Sequence, residues 1–534
     1  MRKITITSLL LAFTLIIGGC SSGAKTNDLS TSLTQNSEQE VGEPQYGGNL
    51  TIAESTDPQV LNPLYVVDQV TFDVQQALYS PFFEIVGGKI SYDNGLLESI
   101  VPNDDKSEYT LNLKQNLKWH DEVPITADDI VFTINILIDK NQNVPYQSYG
   151  IIDGQAISAN KVDDLTAKIT LPKPSAAFLG GLSQIYAIPK HIYENESNIG
   201  KSDKNNNPIG SGPFKFKEFK PGQYIQLSKF DNYFGGRPYL DTLTFKIIKD
   251  SNSANAALLN GDINARLIDS KDYDKLNNSG KININKYMSG RVNAMSFNLN
   301  NDVMKDKNLR LAIANALNKS ELVEFAYTSS DFAVPAYSIL TPDTIYYNKD
   351  LEKIDNNLDK AKSLLNDSNK SNIQLKLSYI STDKIMENEA NYIRDSLGKV
   401  GIAVDLTPID QAVYNSAKAD TKNTDYDLIL YYYTLGEEPD LYKDIASSNS
   451  RSNYSHFNDE NIDLLWAQGA IEANDTKRSD IYNSIQKIIN DDMLIYPISY
   501  SNAFYAIDKS YAGFDKALIK TIYYDYSKLY KINN

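Results

Sequence analysis

The chain carries one cysteine, Cys20, and one long apolar run, Leu9 to Ile17, and the run lies just before the cysteine. With no second cysteine, no intrachain disulfide can brace the fold. Beyond the run, no segment approaches the roughly 20 apolar residues that a membrane-spanning helix needs. The remaining ~500 residues must hold together by burying their own apolar surface, and a chain of that length does so in two or more lobes. An apolar fraction of 41 % is enough for such a body.

Met1-Arg2-Lys3 is a short positive start, and Gly18-Gly19 places small residues before Cys20. A charged start, a short apolar stretch and small residues before a cut mark a secretory signal. Ile17-Gly18-Gly19-Cys20 resembles the bacterial lipobox, which implies cleavage before Cys20 and a diacylglyceryl group on its thiol. Two acyl chains anchor far better than one. Residues 1–19 then read as signal peptide. Residues 20–45, rich in Ser, Thr, Asn, Gln and Glu, read as a lipidated flexible linker. The body is expected on the outer face of the bacterial cytoplasmic membrane.

The formal net charge is −16, which disfavours nucleic acid and anionic headgroups as partners. The 36 tyrosines combine apolar contact with a hydroxyl, which suits a surface that binds varied partners as well as a Tyr-rich sheet with no ligand role. Strand and helix periodicities alternate from Tyr46 onward, so the class is α/β or α+β. Tyr109, Leu111 and Leu113 alternate as in a half-buried strand, as do Ile225 and Leu227. Thr126 and Asp129 form a capping-box pattern that predicts a helix over 127–138. Apolar stripes at Leu309, Ile313, Ala316 and Leu317, at Ile385, Ile393, Leu397 and Val400, and at Ile481, Ile485, Ile488 and Ile489 predict three more helices with core faces. Gly401 is expected to stop the second of these at the C′ position.

Catalytic patterns are missing. His120, His191 and His456 are far apart, with no second His or Cys at metal-ligand spacing. The one G-x-S-x-G pattern, Gly19 to Gly23, straddles the expected cleavage point. The acidic pairs Asp128-Asp129, Glu437-Glu438 and Asp491-Asp492 are sequence neighbours and do not converge on one bond. Neither an enzyme nor a bound cofactor or metal is expected.

Ordered blocks run the length of the body: Gly47-Gly48-Asn49-Leu50-Thr51-Ile52; Asp57 to Pro63; Lys118-Trp119-His120-Asp121; Pro124 to Phe132; Gly210-Ser211-Gly212-Pro213-Phe214; Asn232 to Pro238; Asn260-Gly261-Asp262-Ile263; Arg310 to Leu317; and Asn458 to Asp463. Their glycines at 47–48, 210–212 and 235–236 are expected to supply positive φ between strands. Together the blocks resemble the family-5 extracellular solute-binding proteins, which include oligopeptide-, dipeptide- and nickel-binding subunits of ABC importers; the oligopeptide type is the nearest. Glu122 departs from the Gly that the family more often has.

The resemblance implies an α/β, two-lobed periplasmic-binding-protein-like fold, type II, of the large subclass with an inserted domain. Residues 46–80, 206–290 and 504–534 map to lobe 1, residues 81–205 to its inserted domain and residues 291–503 to lobe 2. The crossings near 290 and 503 are expected to act as hinges. It also implies a monomer that closes on its ligand and docks on a permease served by ATPases. In the peptide-binding members an extended peptide pairs with strand segments of both lobes. The matching stretches are Tyr65–Gln69, with Tyr65, Val67 and Gln69, and Leu430–Leu435, with Tyr431, Tyr432 and Tyr433. Leu435 stands where those members place an Asp for the peptide ammonium, and Glu437 and Glu438 are the carboxylates closest to it. An oligopeptide is the leading ligand. An oligosaccharide or a metal chelate, and a surface adhesin or hydrolase on this scaffold, remain open readings.

Overall fold

Among the described residues, an eleven-stranded sheet forms the backbone of the body. In spatial order its main path is Phe214–Lys220, Tyr224–Lys229, Thr242–Ile247, Asn49–Glu54, Ala265–Ile268, Ile495–Asp508, Ile282–Phe297, Leu428–Thr434, Gln374–Ile380 and Ala403–Ile409, and Ala333–Pro335 adds to Ile495–Asp508. The protein is seen here as a computed structural model that describes residues 43–368, 370–448, 450–514 and 525–532. The expected signal peptide, most of the linker and Cys20 lie outside those residues.

Two strands are long enough to serve two cores, with 16 residues in Ile282–Phe297 and 14 in Ile495–Asp508. Their antiparallel ladder runs from Ile282↔Asp508 to Met288↔Asn502, slips, and resumes at Val292↔Tyr500. Gly290 sits in the slip at φ +70°, and Ser289 Oγ donates to Ser501 O at 2.8 Å. Such a bulge bends and twists a ladder locally. Before it, Tyr505 and Ile507 pack with Leu50, Ile52, Leu243 and Phe245. Beyond it, Val292, Met295, Ile498 and Tyr500 pack with Leu309, Ile313, Leu377, Ile393 and Ile485. We call the chain around these two cores the first and second lobes. A further cluster, with Val323, Tyr327 and Phe332 against Ile268, Phe504 and Ala506, is shared between them.

A separate four-stranded sheet, Leu97–Pro102, Glu108–Leu113, Thr166–Thr170 and Ser158–Lys161 in spatial order, carries its own core with Trp119, Ile130 and Ile134. We call the chain around this core the inserted domain. The helix Ala127–Ile138 closes that core, with Asp129 Oδ2 accepting from Thr126 N at 2.9 Å in the capping box. Asp129 Oδ1 also accepts from Lys190 N at 2.9 Å. Thr126→Ala removes the hydroxyl that caps Asp129 N and is expected to cost about 1 kcal/mol. The check is a lower urea midpoint at an unchanged m-value.

The glycine block 210–212 has a different reason from the expected one. Neither Gly210 nor Gly212 has positive φ, whereas Gly47, Gly48 and Gly236 do. A Cβ on Gly210 would lie 1.9 Å from Leu78 O, so close backbone approach is what demands glycine there. Buried His120 fastens this turn to the inserted domain. Its Nδ1 accepts from Gly210 N at 3.1 Å, and its Nε2 therefore carries the proton donated to Gly212 O at 3.0 Å. Burial pushes the imidazole pKa down to about 3, so the ring stays neutral.

The helix Lys384–Gly398 ends as its sequence foretells. Ile402 N donates to Leu397 O and Gly401 N to Gly398 O, with Gly401 at φ +87°. This is a Schellman motif with Gly401 at C′.

Candidate ligand-binding site

A cavity of about 840 Å³ lies between the two lobes and the inserted domain. Its second-lobe wall includes the continuous segment Tyr431 to Glu438. The strand Leu428–Thr434 pairs along its whole length with Ile282–Phe297, from Phe297↔Leu428 to Arg291↔Thr434. On its other edge, among the described residues, pairing with Gln374–Ile380 covers only Leu428 and Ile429. Backbone from Tyr431 to Thr434 therefore borders the cavity with one edge outside the ladder. An extended ligand can use such an edge.

The side chains of this strand alternate. Tyr431 and Tyr433 join the second-lobe core while still lining the cavity. Tyr433 OH donates to Ile339 O at 2.7 Å, and the Tyr431 ring meets Tyr454 edge-on at 5.0 Å. Tyr432 turns the other way and is 45 % exposed. The Arg291 guanidinium lies 3.8 Å from its ring centroid and is held by Asn293 Oδ1 at 2.8 Å. A cation over a ring fixes the orientation of both.

The opposite walls come from elsewhere in the chain. The inserted domain contributes Tyr146 and Tyr149, stacked at 5.8 Å with planes 16° apart, and Phe178. Tyr146 OH donates to Val66 O, which ties this wall to the first lobe. The first lobe adds Phe72, from the helix Gln69–Leu78, and Met288, Ser289 and Gly290 from the ladder slip. None of these stands out in the sequence. They meet only through tertiary packing, and no local spacing announces it.

Tyr65, Val67 and Gln69 are not among the residues that line the cavity. Their stretch is not a strand. Pro63–Tyr65 is a 3₁₀ turn in which Asn62 accepts from Leu64 N, and Asp68 caps the helix Gln69–Leu78 by accepting from Thr71 N at 2.9 Å. Tyr65 OH donates to Gln142 O at 3.0 Å, Gln69 Nε2 donates to Asp73 Oδ1 at 2.6 Å, and Val67 is exposed. Phe72, one helical turn on, is the residue from this region that reaches the cavity.

Carboxylates dominate the charged lining: Asp343, Glu437, Glu438, Asp440 and Asp444 against Lys443. Such a wall favours cationic groups on a ligand. Leu435 lines the wall as an apolar residue. Glu437 is turned toward the inserted domain, its Oε2 accepting from Gly88 N at 2.9 Å. Glu438 is paired with Arg478, with Oε1 to Nη2 at 2.5 Å and Oε2 to Nη1 at 3.3 Å. Burial pushes the Glu438 and Asp440 carboxyls up, and the nearby Arg478 opposes this for both. His120, His191 and His456 do not line the cavity. Among the described residues no group of three or more His, Cys, Asp or Glu side chains is arranged to hold a metal ion, and no helix is long and apolar enough to cross a membrane.

Comparison with known proteins bears directly on this geometry. The family described as "Bacterial extracellular solute-binding proteins, family 5 Middle" matches residues 91–455. The oligopeptide-binding protein AppA of Bacillus subtilis (strain 168) is 30% identical over 537 residues, covering 95% of each chain. The crystal structure of the ABC transporter substrate binding protein CtaP from Listeria monocytogenes matches with a TM-score of 0.89 at 41% identity, covering 92% of this chain and 100% of that one. The Bacillus subtilis AppA structure, in complex with a nonapeptide, matches with a TM-score of 0.75 at 28% identity, covering 92% of this chain and 100% of that one. The fold is the α/β, two-lobed fold of periplasmic binding proteins.

Proposed function

The chain belongs to the family-5 bacterial extracellular solute-binding proteins, and from that membership we propose that it captures oligopeptides for an ABC importer. The observation that carries the reading is the strand edge from Tyr431 to Thr434, open to a cavity of about 840 Å³. A peptide laid along that edge gains main-chain hydrogen bonds that do not depend on its sequence. Side chains on its two faces then meet Tyr146, Tyr149 and Phe178 on one side and Tyr432 on the other. The aromatic walls supply apolar contact with little loss of conformational freedom. That a relative 28% identical is solved with a nonapeptide supports the choice of ligand.

In this reading the ligand touches both lobes and so favours the closed state. The ladder slip at Met288–Val292 is the hinge, close to the crossings expected near 290 and 503. Cys20 carries a diacylglyceryl anchor, residues 20–45 form the tether, and the closed monomer presents its cargo to the permease. Leu435 leaves a ligand ammonium to find Asp440 or Asp444, the carboxylates of the same wall.

Native mass spectrometry of the form beginning at Ser21, purified from rich medium, tests this directly. A ladder of adducts that is lost on denaturation and sequences as short peptides is the expected result. A clean unliganded mass, or one discrete non-peptide adduct, rejects it. Tyr432→Ala is expected to weaken binding of a recovered peptide about tenfold or more, by calorimetric titration, with thermal stability nearly unchanged because the ring is half exposed.

A further inference from the structure

Residues 81–205 connect to the second lobe only through the first lobe, yet the inserted domain touches the second lobe directly in several places. Gly88 N donates to Glu437 Oε2 at 2.9 Å. Ala176 N and Ala177 N both donate to Ala470 O, at 2.8 and 3.1 Å. Lys106 Nζ donates to Ala473 O at 3.1 Å. Two glycines fit where no side chain can: a Cβ on Gly88 would lie 2.1 Å from Ile345 Cγ2, and one on Gly180 would lie 2.4 Å from Glu438 Cγ.

We propose that these contacts form a latch, made of protein atoms alone, which sets the balance between open and closed forms before any ligand is engaged. The proposal rests on the reading of the cavity as a site that closes, and it concerns how that closure is regulated. Its chemistry suits a reversible contact. Ala470 belongs to the last turn of the helix Glu460–Ile471, where carbonyls have no intrahelical partner. When the cleft opens, that carbonyl and the Ala176, Ala177 and Gly88 amides are all free to bond with water. Exchanging such bonds changes the free energy only modestly for each one. Several small terms acting together can still move a two-state equilibrium substantially. The glycine contacts make closure sensitive to single methyl groups. A latch of this kind supplies part of the closing free energy, so the ligand need supply only the rest. Affinity is thereby tuned in part at positions such as Gly88 and Lys106, which lie outside the cavity lining.

The test uses the full chain with Cys20→Ser and two reporter cysteines at exposed positions, Val162→Cys in the inserted domain and Leu464→Cys in the second lobe. Both parent side chains are more than half exposed, at 59% and 56%. Bound ligand is stripped by unfolding and refolding, and spin-label distances are measured by double electron–electron resonance with no peptide added. Gly88→Ala is expected to raise the ratio of long to short distances at least tenfold. Lys106→Met, which keeps the aliphatic stem, is expected to raise it about threefold. Gly87→Ala is the control. Gly87 also has positive φ, +56°, but a Cβ there meets nothing within 4 Å, so backbone strain alone should leave the ratio unchanged.

Distance distributions for Gly88→Ala and Lys106→Met that superimpose on the parent's overturn the latch. So does a shift of equal size in Gly87→Ala. If Gly88→Ala does not fold, Lys106→Met decides the matter. The measurement needs no peptide, so failure of peptides to bind would reject the proposed ligand and leave this result standing. Peptide binding by a chain whose distances ignore these substitutions would reject the latch alone.

Discussion

Arg478→Met is expected to destabilise the protein by about 3–5 kcal/mol at neutral pH. The Arg478 and Glu438 side chains are only 7% and 5% exposed, and the guanidinium also donates from Nε to Gly469 O at 2.9 Å. Burial works against the charge of both groups, and each is the partner that restores the other. Methionine keeps much of the stem volume but leaves a carboxylate buried without its counter-charge, which is the costly way to break such a pair. The sign of the pH dependence follows. Without Arg478 the folded-state pKa of Glu438 rises further above its unfolded value. The variant therefore keeps most stability below the unfolded pKa and loses it as pH rises through the folded one. Urea unfolding at pH 4.5 and 7.5 checks this, with the deficit largest at the higher pH. Adding Glu438→Gln should recover part of the loss. A neutral-pH deficit below 1 kcal/mol would mean that water reaches the pair.

Glu389→Gln is expected to act in the opposite direction and stabilise the protein by about 3 kcal/mol at pH 7. Glu389 is 1% exposed, and burial pushes its carboxyl up to about 8, against the opposing effects of Asn293 and Arg291. Between its ordinary value of 4.5 and about 8, the folded state holds a proton that the unfolded state releases. Stability from this group is thus fully present below 4.5 and declines as pH rises through 8. Glutamine never ionises and still accepts the Asn293 Nδ2 bond, which is 3.1 Å long to Glu389 Oε1. The gain should vanish near pH 4.5 and grow steadily above it. Lys319 contributes the reverse slope in a different window. Burial pulls its pKa down from 10.5 to about 7, so its contribution rises with pH between those values. The difference between variant and parent cancels Lys319 and isolates Glu389. Melting temperatures from pH 4.5 to 8 provide the check, and a flat difference across that range would contradict the assignment.

Much of this architecture is legible in the sequence because it is local. Ile225 and Leu227 alternate and are buried in a strand, and Thr126 and Asp129 open the helix Ala127–Ile138. Gly401 ends a helix through bonds to its own last turn. In each case the deciding interaction lies within a few residues. The site is different. The Tyr431–Glu438 wall is readable as a strand and its turn, but Tyr146, Tyr149, Phe178 and Phe72 reach the same cavity from distant parts of the chain. The resemblance implies extended backbone over Tyr65–Gln69, but Asp68 and Thr71 stand at cap spacing, and the cap wins over extended pairing. At Gly210 the sequence shows the residue but not the cause, since only the fold reveals that Leu78 O approaches it.

The strand order also governs how the chain is completed as it is made. Asn49–Glu54 lies between Thr242–Ile247 and Ala265–Ile268, and the latter is covered in turn by Ile495–Asp508. Tyr526 and Leu529 share a core with Leu50, and Gln45 bridges to Lys531. The first strand to emerge during synthesis must therefore wait for pairing partners made near the middle of the chain, and the core around it closes only when Tyr526 and Leu529 appear. Most of the second lobe, by contrast, is drawn from one continuous stretch and can assemble as that stretch appears. The lobe that starts first finishes last, and its waiting strand edges are the place where a nascent chain is most in need of a chaperone.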